Sequence, residues 1–207
     1  MNISTLCRKI AKVLNCNNDQ DQEEIIAFGL EIIFSELSKI IVLFSIALII
    51  NRLLEVVIIT VIFSIYRMIS GGVHLESYSS CLIITILSII LLAILVEPLS
   101  ARLWIEVIAV FFAISYLFNI LLVIRVIPVG NKNHEITSLR KVYFFKKASF
   151  IFISLVTFIC LFILINLNMY VAKVIVISAL IGLNLQAFTL LPFTYKLVSI
   201  FNKYKYN

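Results

Sequence analysis

Residues Tyr66–Cys81, Y-R-M-I-S-G-G-V-H-L-E-S-Y-S-S-C, form the only long polar interruption in the first half of a very apolar chain. The segments on either side, Leu53–Ile69 and Leu82–Leu99, are predominantly apolar. The stretch therefore reads as the place where one membrane span stops and the next begins. Composition extends that reading to the whole chain. Of 207 residues, 62% are hydrophobic and 14% charged, and the mean hydropathy is +1.13. Soluble domains run at about 45–50% apolar and about 25% charged, so a soluble fold of this size cannot bury so much apolar surface. In hydrocarbon each backbone N–H and C=O must be paired within the structure, which admits only helices and closed barrels. The apolar runs are long and unbroken, unlike the alternating strands of about ten residues that build a barrel. The fold class is an all-α integral membrane protein.

Six spans are expected, near Ala27–Ile50, Leu53–Ile69, Leu82–Leu99, Leu103–Ile124, Ala148–Leu167 and Tyr170–Leu191, against the roughly 20 residues needed to cross hydrocarbon. The second and third are short, which suits facing ends that open at membrane depth around Tyr66–Cys81. Ahead of the spans, Ile3, Leu6, Cys7, Ile10, Val13 and Leu14 recur at helical spacing opposite Arg8, Lys9 and Lys12. That pattern predicts an amphipathic interfacial helix, with its following polar loop, over residues 1–22. Lysine and arginine counts give the orientation. With both termini cytoplasmic, the inner segments hold thirteen of the 17 basic residues, and the outer loops only Arg52, Arg102 and Lys173. The Tyr66–Cys81 loop then faces the cytosol. The +6 net charge is accounted for by these loops, so no nucleic-acid role is expected. No repeat or linker is visible, and a single domain, 1–207, suffices.

The site chemistry rests on few residues. The four cysteines, at 7, 16, 81 and 160, show no CxxC and no metal-like spacing, so no metal or cofactor is expected. Cys160 lies in an apolar run, where an inert buried thiol is the ordinary outcome. Cys81 differs because it stands where the third span begins. A helix N-terminus offers free N–H groups and partial positive charge, which favour a thiolate. A catalytic cysteine also needs a base and donors for the developing oxyanion. His74 lies seven residues upstream, about 10 Å away on a continuous helix, so the Ser77–Ser80 stretch must bend to bring the two together. Gly71 and Gly72 allow a sharp turn, and their N–H groups are candidate oxyanion donors. The plain alternative is an interfacial loop in which His74 is a polar anchor and Cys81 a buried thiol.

Arg67, Gly71, Gly72, His74 and Cys81, read as R-x-x-x-G-G-x-H with cysteine seven residues after the histidine, resemble the accessory gene regulator B family. Phe28–Glu31 (F-G-L-E), Ile127–Asn133 (I-P-V-G-N-K-N) and Gly182–Pro192 (G-L-N-L-Q-A-F-T-L-L-P) are similar too. The likeness covers nearly the whole chain. It implies a membrane cysteine endopeptidase of Gram-positive quorum sensing, with Cys81 as nucleophile and His74 as general base. The implied substrate is an AgrD-like propeptide, which loses its C-terminal tail and closes to a thiolactone or lactone ring. One departure is His134, which stands where a second proline is frequent in the family. It bears on loop conformation or peptide choice and leaves the chemistry intact.

Further polar groups are candidates for support. Glu31, Ser35, Ser38 and Lys39 share a helical face of the first span, and Glu36 and Lys39 are spaced to pair. Glu31, Glu36, Glu76 and Gln186 could orient His74 or line a peptide groove, or they could form a structural polar seam. Arg67 could position the substrate or the loop. The basic loop 125–147, with Arg140, Lys141, Lys146 and Lys147, suits anionic lipid headgroups or an acidic propeptide tail. A bundle this apolar could also pair with a second copy. Two other readings compete: a small transporter, which would carry charges at mid-membrane on several spans, and a scaffold without enzymatic activity.

Overall fold

The computed structural model describes residues 3–14, 20–72, 78–129 and 138–204. His74 and Glu76, with Cys16 and His134, lie outside these. The described residues form α1 (Ile3–Leu14), α2 (Gln20–Ile49), α3 (Leu53–Ser70), α4 (Tyr78–Arg102), α5 (Ile105–Arg125), α6 (Leu139–Asn166), α7 (Met169–Thr189) and α8 (Pro192–Tyr204). Six of them, α2 to α7, are long and apolar enough to cross a membrane. The all-α membrane architecture expected from composition is the one observed.

Contacts divide the chain into two compact units, Met1–Ile49 and Ile50–Asn207. In the first, α1 packs on α2 and buries Cys7 and Ala11 completely. These two positions are four apart, one turn along a helical face. On α2, Ser38 and Ser45 donate to the carbonyls of Phe34 and Ile41, so their hydroxyls are satisfied within the helix. Lys39 pairs with Glu36 as their spacing predicts.

In the second unit α7 is the axis, packed by α3, α4, α5 and α6. It is lined by small buried residues, Ala172, Ser178, Ala179, Gly182 and Ala187. Lipid tails are as apolar as leucine, so helices in a bilayer associate through close packing and polar contacts, which small residues allow. At Gly182 an added Cβ would come within 3.0 Å of the Ile59 carbonyl and 3.1 Å of the Ile62 side chain, so α3 and α7 approach nearly backbone to backbone. Polar bonds add to this packing. Asn184 on α7 donates to Ser115 Oγ on α5 at 2.8 Å, and Arg52, ahead of α3, pairs with both Glu55 and Glu97 of α4. Asn184 therefore takes the structural role of tying two helices together.

Four features differ from the sequence expectations, the first being that α2 starts at Gln20, inside the polar loop expected over residues 1–22 and ahead of Ala27. The third span is not short: α4 has 25 residues, about 37 Å of helix, against 18 residues in α3. Tyr78, Ser79 and Ser80 belong to its first turn, so the bend expected over Ser77–Ser80 does not lie in those three. Hydropathy ends a span at polar residues, whereas helical hydrogen bonding continues through them. The same reason moves the fifth span. Its helix starts at Leu139 rather than Ala148, placing Arg140, Lys141, Lys146 and Lys147 on helical turns and not in a loop. Lys146 Nζ donates to the Ile124 carbonyl at 2.7 Å, satisfying one of the orphan acceptors at the end of α5. Lastly, α8 follows α7 with Pro192 at its first position, where the missing N–H costs nothing.

Candidate active site

The last turn of α3 carries Tyr66, Arg67 and Ser70, and Gly71 ends it. Gly71 N–H donates to the Arg67 carbonyl at 3.0 Å, closing the helix. The Gly71 N–H, a candidate oxyanion donor, is thus engaged with the end of α3. Gly71 has φ 75° and ψ −156°, a region that is essentially glycine-only. The turn it makes brings the chain alongside the segment after α5. There Val129 N–H donates to the Ser70 carbonyl at 3.0 Å, and Gly71 and Val129 form an isolated parallel bridge. The Ile127–Pro128 peptide just before it is cis. A Cβ on Gly71 would fall 2.2 Å from the Val129 carbonyl oxygen, so no other residue fits this approach.

From below, α7 holds the turn. The fully buried Gln186 donates through Nε2 to the Gly71 carbonyl at 2.6 Å and to Ser70 Oγ at 2.9 Å. Its Oε1 accepts from Thr189 Oγ1 at 3.0 Å. The amide nitrogen thus fixes the turn at the end of α3, while the amide oxygen is held by Thr189 on α7 itself. Gln186 was a candidate for orienting the histidine or lining a groove. Its observed partners are Ser70, Gly71 and Thr189. Gln186→Leu would remove the 2.6 Å donor to the Gly71 carbonyl and leave it only the longer Ser70 Oγ contact at 3.2 Å, while the Ser70 hydroxyl keeps its bond to the Tyr66 carbonyl. The expected loss is about 1 kcal/mol, read as a lower unfolding temperature in detergent.

Gly72 faces the remaining polar groups. A Cβ there would meet Thr189 Oγ1 at 2.9 Å, Gln186 Nε2 at 3.3 Å and a guanidinium nitrogen of Arg67 at 3.6 Å. Arg67 is half-buried, its guanidinium carbon 5.7 Å from the centre of the Phe63 ring. Tyr195, on α8, also belongs to this neighbourhood. Burial pushes its phenol up, while the Arg67 charge acts in the opposite direction. Nothing in the sequence singled out Tyr195, whereas Val129 and Thr189 lay within the family-like stretches Ile127–Asn133 and Gly182–Pro192 without an assigned role.

Cys81 is the fourth residue of α4, half-buried, with a free thiol. It stands in the first turn of a 25-residue helix, where backbone N–H groups lack intrahelical acceptors and the helix dipole is positive. Arg67, Gly71 and Gly72 are brought together with Gln186 at one end of the second unit. Glu31 and Glu36 belong to the first unit. There Glu31 lines a cavity of about 340 Å³ with Arg8, Glu23, Glu24 and Phe28, and Glu36 is held by Lys39. Arg140, Lys141 and Lys147 are exposed on the first turns of α6.

Comparison with known proteins agrees in extent with this geometry. The family profile described as Accessory gene regulator B matches residues 5–190. Two Clostridium perfringens proteins, named only as AgrB-like, align over 197 residues, 91% of this chain and 90% of their own length. The one from strain SM101 is 30% identical and the one from strain 13 is 29% identical. No solved structure matches the chain significantly. With the match running from α1 through α7, the chain belongs to the accessory gene regulator B (AgrB) family.

Proposed function

We propose that this protein is a membrane cysteine endopeptidase that removes the C-terminal tail of an AgrD-like propeptide and promotes closure of the product to a thiolactone or lactone. Family membership over residues 5–190 is the observation that carries the reading. The position of Cys81 in the first turn of α4 and the fixed glycine turn ahead of His74 support it. Cys81 Sγ attacks the carbonyl that precedes the tail. His74 accepts the thiol proton and passes it to the departing amine, so the tail leaves with a free amino group. The product still bound is a thioester on Cys81. A cysteine thiol or serine hydroxyl within the peptide then attacks that thioester, closes the ring and returns the proton and the thiol to Cys81. Closure on a cysteine exchanges one thioester for another and needs no ATP. The first step trades an amide for a thioester and is uphill, so departure of the tail drives it.

In this reading both termini and the catalytic loop face the cytosol, as the distribution of basic residues favours. The chain acts as one functional domain, and the basic start of α6 meets the propeptide tail or the lipid surface. The test uses membranes carrying this chain and its candidate propeptide. Mass spectrometry should detect the released tail and a hydroxylamine-sensitive acyl adduct on Cys81. No adduct on Cys81 during active tail release would refute the assignment.

The basic residues give a separate expectation. Changing Arg140, Lys141 and Lys147 to Gln should slow tail release several-fold with unchanged membrane insertion if these side chains grip the tail. If they serve only the lipid surface, orientation shifts, as read by protease protection of the loops. Lys146 is left out of the set because it also holds the Ile124 carbonyl.

A further inference from the structure

At the opposite end of α4 and α7 from the glycine turn, two cavities meet. The first is a groove of about 410 Å³ lined by α4, α5 and α7, among others by Leu92, Leu99, Phe111, Ile177, Leu180 and Leu185. It exists because α4 and α5 each pack on α7 and hardly touch one another. The second is a polar pocket of about 380 Å³, lined by Arg102, Trp104, Glu106, Met169 and Lys173. Leu103 lines both, so the greasy groove opens into the charged pocket. Each volume lies in the range of small-molecule sites, about 300–1,000 Å³.

The charges decide what fits. Arg102 and Lys173 face one acid, Glu106, which leaves one net positive charge in the pocket. No ion pair joins Arg102 or Lys173 to another described residue, whereas Arg52, the other cation at this end of the chain, is paired with Glu55 and Glu97. Lys173 is held in place by its bond to the Leu103 carbonyl at 2.8 Å. That leaves further ammonium protons for a ligand. Trp104 is 76% exposed between α4 and α5, and tryptophan at a span terminus sits at headgroup level. A single negative charge at headgroup depth, joined to an apolar chain that runs toward the middle of the bilayer, describes a glycerophospholipid.

We propose that this is a phospholipid-binding site, in which the phosphodiester lies between Arg102 and Lys173 and an acyl chain fills the groove along Leu180. The proposal does not rest on the peptidase reading. It concerns the other end of the bundle and is tested by binding alone. The full-length protein in detergent is offered a mixture of phosphatidylglycerol and diacylglycerol of the same chains, and retained lipid is counted by native mass spectrometry. Phosphatidylglycerol should be retained at least tenfold over diacylglycerol. Arg102→Gln and the Arg102→Gln/Lys173→Gln pair should each lower its retention, the pair by tenfold or more. Arg102→Lys should keep most of it. Leu180→Trp, which fills the groove, should also reduce it several-fold. Soluble glycerol phosphate at equal concentration should fail to displace the lipid. Equal retention of the two lipids, no change in the double variant, or displacement by glycerol phosphate alone would each overturn the proposal.

Discussion

Cys81→Ala is expected to bring propeptide tail release down to background, because it removes the atom that carries the acyl group in the proposed mechanism. His74→Ala should be severe but smaller. A positioned general acid–base typically contributes about 10²- to 10⁴-fold, and the Cys81 thiol keeps its place in the first turn of α4 when the histidine is gone. The two variants therefore separate in a single experiment. Trace acyl adduct should accumulate slowly in His74→Ala and be absent in Cys81→Ala, with both proteins inserted normally in the membrane. A scaffold or a transporter would not distinguish them. Full tail release by Cys81→Ala would end the assignment, since no other described cysteine stands at a helix start: Cys7 is buried on α1 and Cys160 is buried within α6.

The second large effect belongs to Gly71, a residue that touches no reacting atom. Gly71→Ala forces a side chain into backbone angles that only glycine adopts readily, at a cost of order 1–3 kcal/mol. It also drives the new Cβ to 2.2 Å from the Val129 carbonyl. A backbone oxygen cannot rotate away as a side chain can, so the two loops must separate. Once they do, the Ser70–Val129 bond and the Gln186 contact to the Gly71 carbonyl lose their geometry together. A drop in tail release of a hundredfold or more is expected, with a lower unfolding temperature but unchanged insertion. Gly29→Ala makes a useful contrast. Gly29 lies within α2 with nothing inside 4 Å of an added Cβ, so the protein should tolerate it and gain up to about 1 kcal/mol in helix stability. Normal turnover by Gly71→Ala would mean that the turn is irrelevant to catalysis.

Much of this was legible in the residues alone. Six spans follow from apolar runs because burial in lipid is a property of composition, whereas the glycine pair followed by histidine and cysteine pointed to a site only through its resemblance to a known family. The misplacements share one cause. The starts of α4 and α6 carry polar or basic residues that a hydropathy reading cuts away, yet serine, tyrosine, lysine and arginine sit comfortably in an exposed helical turn. The contributions of Val129 and Thr189, each inside a family-like stretch, could not be read residue by residue for a different reason. Val129 acts through its backbone N–H and carbonyl, which every residue but proline possesses, so its identity says nothing about its role. Thr189 is an ordinary hydroxyl whose value comes from standing one turn beyond Gln186. Glu31 and Glu36 were chosen on the general rule that charges inside spans serve a site. Glu36 is paired locally with Lys39, and Glu31 lines a cavity within the first unit.

The pairing of Gly71 with Val129 has a mechanical consequence. It splices the chain leaving α3 to the chain leaving α5, so a force on either is delivered to both. Under the proposed function, a peptide drawn along the stretch after Val129 would tug on the backbone that leads on to His74, the proposed base, without touching it. Changes far from the scissile bond could then alter how fast a bound substrate is cut while leaving its grip on the protein unaltered. Measuring the rate of a single turnover apart from affinity, for substitutions between α5 and α6, would expose that leverage.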